Sequence, residues 1–163
     1  MVLVDYHTHT RCSPDSDAPL ADMASAAAAA GLSQLCTTDH CDLLDLHGGP
    51  ADPWDWAPVL TQYRAALERA PEGLQLRLGL ELGSAQFFPD LARQILSAAP
   101  VDFVIGSAHN LSPALGGEDF YFLPYRTPDE CRRALDDYFD SLAAIARLDT
   151  YDVLGHIYRK SVV

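Results

Sequence analysis

Apolar positions along this chain recur with two periods. Short runs at 2–6 (VLVDY), 33–38 (SQLCTT), 74–82 (LQLRLGLEL), 101–107 (VDFVIGS) and 151–155 (YDVLG) predict five strands. Longer segments with helical spacing lie between them, at 19–30, 53–70, 89–98 and from 127 onward. The first of these opens on Pro19 and stops at Gly31, as helix ends commonly do. Asp52 ahead of Pro53 is the expected cap of the second, with Pro58 in or near its first turns. The last begins Thr127-Pro128-Asp129-Glu130, a capping box with proline at the first helical position. Strands alternating with helices predict parallel βαβ units in an α/β domain, and no shift of composition marks a second domain.

The ends of the predicted strands carry the candidate chemistry. The first runs into His7 and His9, the second into TTDH with His40, the fourth into GSAH with His109 and the fifth into GH with His156; the third carries Glu81. Among the six histidines only His47 falls elsewhere, in a glycine-rich loop. The carboxyl ends of parallel strands share one face of a sheet or barrel, so residues spread over the whole chain converge there. His-x-His then has a physical reason: residues i and i+2 of an extended segment share a face, which lets both imidazoles reach one metal ion.

The third strand sets a direction. Leu74, Leu76, Leu78, Leu80 and Leu82 fall on one face, and Gln75, Arg77, Gly79, Glu81 and Gly83 on the other. The leucine face suits surrounding helices, which turns the glycine and glutamate face inward, as in a closed or nearly closed barrel. A carboxylate buried there needs cations, which a shared metal supplies. Asp15 and Asp17, in SPDSD, suit a turn. Arg11, Arg126, Arg159 and Lys160 are candidates for holding an anionic substrate, Arg126 and Arg159 foremost.

Composition narrows the function. With 163 residues and 48% hydrophobic content the chain can bury a core as one domain. Its most apolar long stretch, MASAAAAAGL, is too short and too alanine-rich for a membrane span, and a cytoplasmic protein is expected. Four cysteines without CxxC spacing predict reduced thiols, Cys41 beside His40 being the one of interest. A net charge of −12 disfavours nucleic acid as a partner. The chain also has no G-x-S-x-G, P-loop or cysteine phosphate-loop signature.

In order, DYHTHT…SPD, TDH, GLELG, GSAHN and DVLGH resemble the successive motifs of the PHP (polymerase and histidinol phosphatase) superfamily, most of all its histidinol-phosphate phosphatase branch. The resemblance implies a distorted (β/α)7 TIM-like barrel, here with about five βα units, and up to three divalent ions, Zn, Mn or Fe, at its carboxyl face. On these positions His7 and His9 would bind the first metal, and Glu81 would bridge it to a second completed by His109 and His156. Asp15 would pair with His40 on the third, with Glu81, His109 and His40 carrying the catalysis. The family pattern continues past the GH strand with two more strands and a final Asp-x-His. This chain stops at Val163, so an incomplete domain with an open strand edge is expected. The implied reaction is metal-dependent hydrolysis of a small phosphorylated substrate, foremost L-histidinol phosphate in histidine biosynthesis. A phosphatase for nucleotides or other small esters, a polymerase-associated exonuclease and a non-catalytic metal-binding remnant are the rivals, and whether the chain forms a homo-oligomer is left open.

Overall fold

The computed structural model describes residues 2–45 and 48–157. Five parallel strands, β1 (Val4–Thr8), β2 (Gln34–Asp42), β3 (Gln75–Gly83), β4 (Phe103–Ser107) and β5 (Val153–Leu154), follow one another in space in chain order. Helices α1 (Leu20–Ala29), α2 (Trp56–Leu67), α3 (Pro89–Ser97) and α4 (Pro128–Ile145) make the crossovers. Sequential parallel order is the winding of a βα barrel. The sheet curls accordingly: the ring of Tyr6 on β1 meets that of Phe103 on β4 edge-on at 4.9 Å, and His7 meets His156 at 5.0 Å.

The leucine face of β3 is the outer one. Leu78, Leu80 and Leu82 pack with Trp56 and Val59 of α2 and Ala92 and Ile95 of α3. Leu74 and Leu76 join Leu35 and the α1 residues Leu20, Ala24 and Ala27. A third cluster seats Ala134, Tyr138, Leu142 and Ile145 of α4 against Ala108, Leu111 and Phe120. Burying one such side chain contributes about 1.5–3 kcal/mol, so these clusters hold the helices to the outside of the curl. The inner face of β3 carries Gly79, Glu81 and Gly83.

Local signals were met with small shifts. Gly31 takes φ +81° just past α1. Thr127 Oγ1 accepts the Glu130 N–H at 3.2 Å while Glu130 Oε2 accepts the Thr127 N–H at 3.2 Å, completing the capping box of α4. The second helix starts later than Pro53: Asp55, not Asp52, caps it by accepting the Ala57 N–H at 2.9 Å. Pro58 then falls in the first turn, where a missing N–H costs no helical bond. The second strand outlasts its apolar run because it pairs β3 position for position from Gln34↔Gln75 to Asp42↔Gly83, so His40 lies inside the strand. No described helix is long and apolar enough to cross a membrane.

Candidate metal centre

Glu81 is fully buried at the inner face of β3 and five imidazoles surround its carboxylate. His109 Nε2 and His156 Nε2 each stand 3.0 Å from Oε1. His7 Nε2, His9 Nε2 and His40 Nδ1 stand 3.2, 3.3 and 3.3 Å from Oε2. Asp15 lies across the outer side, 3.3 Å from His9 Nδ1 and 3.4 Å from His40 Nε2. Among the described residues, four overlapping sets have ligand atoms all within 4.8 Å of one another: His7, His9 and Glu81; Glu81, His109 and His156; His9, Asp15 and His40; and His40, Asp42 and His109.

Backbone features make this density of groups feasible. Gly155 brings β5 against β4, since a Cβ there would stand 2.3 Å from Ser107 Oγ. Ser107 Oγ is thereby left to donate to Glu81 Oε1 at 2.7 Å. His156 takes φ +50°, a conformation that costs a non-glycine residue about 1–3 kcal/mol, and it is at this cost that Nε2 reaches the carboxylate. The Tyr138 hydroxyl, donating to the His156 carbonyl, holds it there.

The charges are coupled. Burial alone would raise the Glu81 carboxyl, but the imidazoles of His109, His156, His7 and His9 outweigh it and hold the group far below the usual carboxylate range. Burial pulls His109 down, yet Asp42 and Glu81 together push it up to about 10. The contact with Glu81 raises His9 against its own burial, whereas burial lowers His40.

One feature tests the fit of a cation. Glu81 Oε2 and His40 Nδ1 are buried without a hydrogen-bond partner, although three imidazole nitrogens stand within 3.3 Å of that oxygen. Nitrogen and carboxylate lone pairs facing one another at such distances without hydrogen-bond alignment are an unfavourable arrangement, and a shared cation relieves it. The donor set, imidazole with carboxylate, suits zinc and other first-row divalent ions.

His7, His9, Asp15, His40, Glu81, His109 and His156 therefore all meet in one cavity of about 740 Å³. Arg126 does not join them: it is exposed and absent from the cavity lining. Arg11 lines a separate surface hollow beside α2. Asp17 lies outside the metal-capable sets. Arg159, Lys160 and His47 lie outside the described residues. Cys41 faces the core between strands and helices, opposite His40, and burial pushes its thiol up to about 12. Sequence reasoning missed Asp42, whose Oδ1 stands 2.6 Å from His109 Nδ1. The signal was present, since Asp42 follows His40 by two residues and so shares its face. Gly83, its register partner, leaves room for the pair: a Cβ there would stand 1.9 Å from Asp42 Oδ1.

The profile of the PHP domain matches residues 5–161. This chain belongs to the PHP domain family. The PHP domain is 26% identical over 163 residues to the histidinol-phosphatase of Lactococcus lactis subsp. lactis IL1403, covering 96% of this chain and 57% of that protein. It is 31% identical over 172 residues to the probable histidinol-phosphatase of Deinococcus radiodurans R1, covering 95% of this chain and 60% of that one. The crystal structure of the Lactococcus lactis histidinol phosphate phosphatase complexed with zinc, L-histidinol and phosphate superposes with a TM-score of 0.66 at 25% identity, over 94% of this chain and 57% of that one. The chain thus spans 57–60% of the length of the curated relatives it matches.

A pH test follows from the Asp42–His109 pair. A histidine raised on folding contributes stability that is whole below its unfolded pKa of 6.5 and is lost as pH rises toward about 10. After chelation, the melting temperature of the PHP domain is expected to fall by several degrees between these limits. Asp42→Asn is expected to flatten that slope. Thermal melts of both chains across the range check it, and equal slopes would show that Asp42 does not hold the proton on His109.

Proposed function

We propose that this PHP domain is a metal-dependent phosphomonoester hydrolase that splits L-histidinol phosphate into L-histidinol and phosphate. The observation that carries the proposal is the single buried carboxylate of Glu81 faced by five imidazoles. His7, His9 and Glu81 would hold one ion, Glu81, His109 and His156 a second, and Asp15 with His40 a third. Zinc, manganese or iron bound there would supply Lewis acidity, acidifying water and neutralising phosphoryl charge.

The residues themselves have definable tasks. Asp42, beside His109 Nδ1, favours the proton on that nitrogen and so leaves the Nε2 lone pair for an ion that His109 would share with Glu81. Ser107 fixes the Glu81 carboxylate by donating to Oε1 at 2.7 Å. Among the described residues no lysine or arginine lines the cavity. Charge neutralisation of a phosphate at this floor therefore falls to bound cations, in agreement with the metal-capable sets. The names of the relatives, and the zinc, L-histidinol and phosphate in the Lactococcus lactis crystal structure, support the choice of ester.

The test is phosphate release from L-histidinol phosphate by the purified chain supplied with zinc, manganese or iron, and its loss after chelation. Release that returns on adding metal is the expected result. A folded, metal-loaded chain that releases no phosphate from L-histidinol phosphate would refute the proposed activity.

A further inference from the structure

We propose that the turn Asp119–Phe122 is a recognition wall for the organic half of the substrate, built for a group that is both cationic and aromatic. The inference rests on the phosphatase reading above and adds to it the origin of ester selectivity.

The cavity is divided chemically. Four carboxylates line it, those of Asp15, Asp42, Glu81 and Asp119. The first three each belong to a metal-capable set and Asp119 belongs to none. A carboxylate outside those sets repels a phosphate, so its presence in the lining of a phosphatase cavity calls for a cation elsewhere in the same substrate. An ammonium or a protonated ring meets that need, and no lysine or arginine of the described lining competes for Asp119.

The rings beside Asp119 add a second selection. Tyr121 and Phe122 are 75% and 73% exposed, meet edge-to-face at 5.2 Å and line the same cavity. Two adjacent aromatic side chains left in water at a cavity mouth offer flat apolar and cation–π surface to a ligand. Their mount is firm. Phe120, between Asp119 and Tyr121, is buried and packs edge-on against Tyr138 at 5.3 Å. Its N–H donates to the His109 carbonyl at 2.9 Å, and its carbonyl accepts the Tyr125 hydroxyl at 2.8 Å. Asp119 Oδ1 in turn accepts the Tyr121 N–H at 2.7 Å, which orients the carboxylate. The wall is thus pegged to His109, one of the residues facing Glu81, and stands at a set place relative to the metal-capable floor. L-histidinol, an amino alcohol bearing an imidazole, has the charge and the ring that such a wall selects.

The experiment uses the zinc-loaded full chain and the variants Asp119→Asn and Tyr121→Ala/Phe122→Ala, whose positions are at the cavity rim rather than in the core. L-Histidinol binding is measured by calorimetry with glycerol as the neutral comparison, and turnover with L-histidinol phosphate against glycerol phosphate. Each variant is expected to weaken L-histidinol binding about tenfold and to raise KM for its phosphate ester similarly. Zinc content, kcat and glycerol phosphate turnover should stay within about twofold. Unchanged L-histidinol affinity in both variants, equal losses for both esters, or no L-histidinol binding by the unsubstituted chain would overturn the proposal. Wall-dependent L-histidinol binding without phosphate release would support the wall and sink the hydrolase.

Discussion

Glu81→Gln is expected to lower phosphate release by about 1,000-fold or more and to remove most of the bound metal, because all five imidazoles of the inner site face this carboxylate. The substitution keeps the shape of the side chain and deletes its charge. An amide offers one oxygen in place of two, and its NH2 group would face imidazole nitrogens on one side of the site. Both metal-capable sets that share Glu81 would be broken together. The site of Asp15 and His40 would keep its own groups, so partial metal retention with no turnover is the expected pattern. Elemental analysis of the purified variant beside its rate on L-histidinol phosphate makes the comparison, with far-UV circular dichroism showing that the fold persists. A variant with the metal content and rate of the unsubstituted chain would show that Glu81 is not the bridging group.

The largest loss of stability is expected from a single methyl group. In Gly79→Ala the new Cβ would stand 2.6 Å from the Phe103 carbonyl oxygen, 2.8 Å from that of Thr37 and 2.9 Å from Cys36 Sγ. Two of these three atoms are backbone of the strands on either side, which a side-chain rotation cannot relieve. The sheet would have to open its curl at β3. Overpacking of this kind costs about 3 kcal/mol, which lowers the melting temperature by about 6–12 °C in a domain of this size. Differential scanning calorimetry of the variant measures it. A melting temperature within about 2 °C of the parent would show that the curl at β3 is looser than the structure has it.

The two predictions draw on the same feature, the alternation in LQLRLGLELG. Period two placed leucine on one face and glycine and glutamate on the other, and the structure puts the leucines under the helices and Glu81 inside. The five ligand-type strand ends were equally legible, because parallel winding sends every carboxyl end to one side regardless of the distance along the chain. Asp55 as the cap of α2 and the length of β2 were not. The first depended on which of two nearby aspartates precedes a segment free to turn, and the second on a partner strand that extends β2 beyond its own apolar run.

By itself, the amino-acid sequence determined the order of strands and helices, the face of β3 that turns inward, and the five histidines and one glutamate that gather at the carboxyl ends. These follow from local periodicity and from the one-sidedness of parallel strands, both of which act within a few residues. Only the tertiary structure decided which imidazole faces which carboxylate oxygen, that Asp42 engages His109, that Arg126 stands away from the cavity, and that Asp119 with two exposed rings closes one side of it. The reason is physical. Such pairings depend on the curl of the sheet and on where a loop anchored by Phe120 comes to rest, and those are set by contacts between residues far apart in the chain.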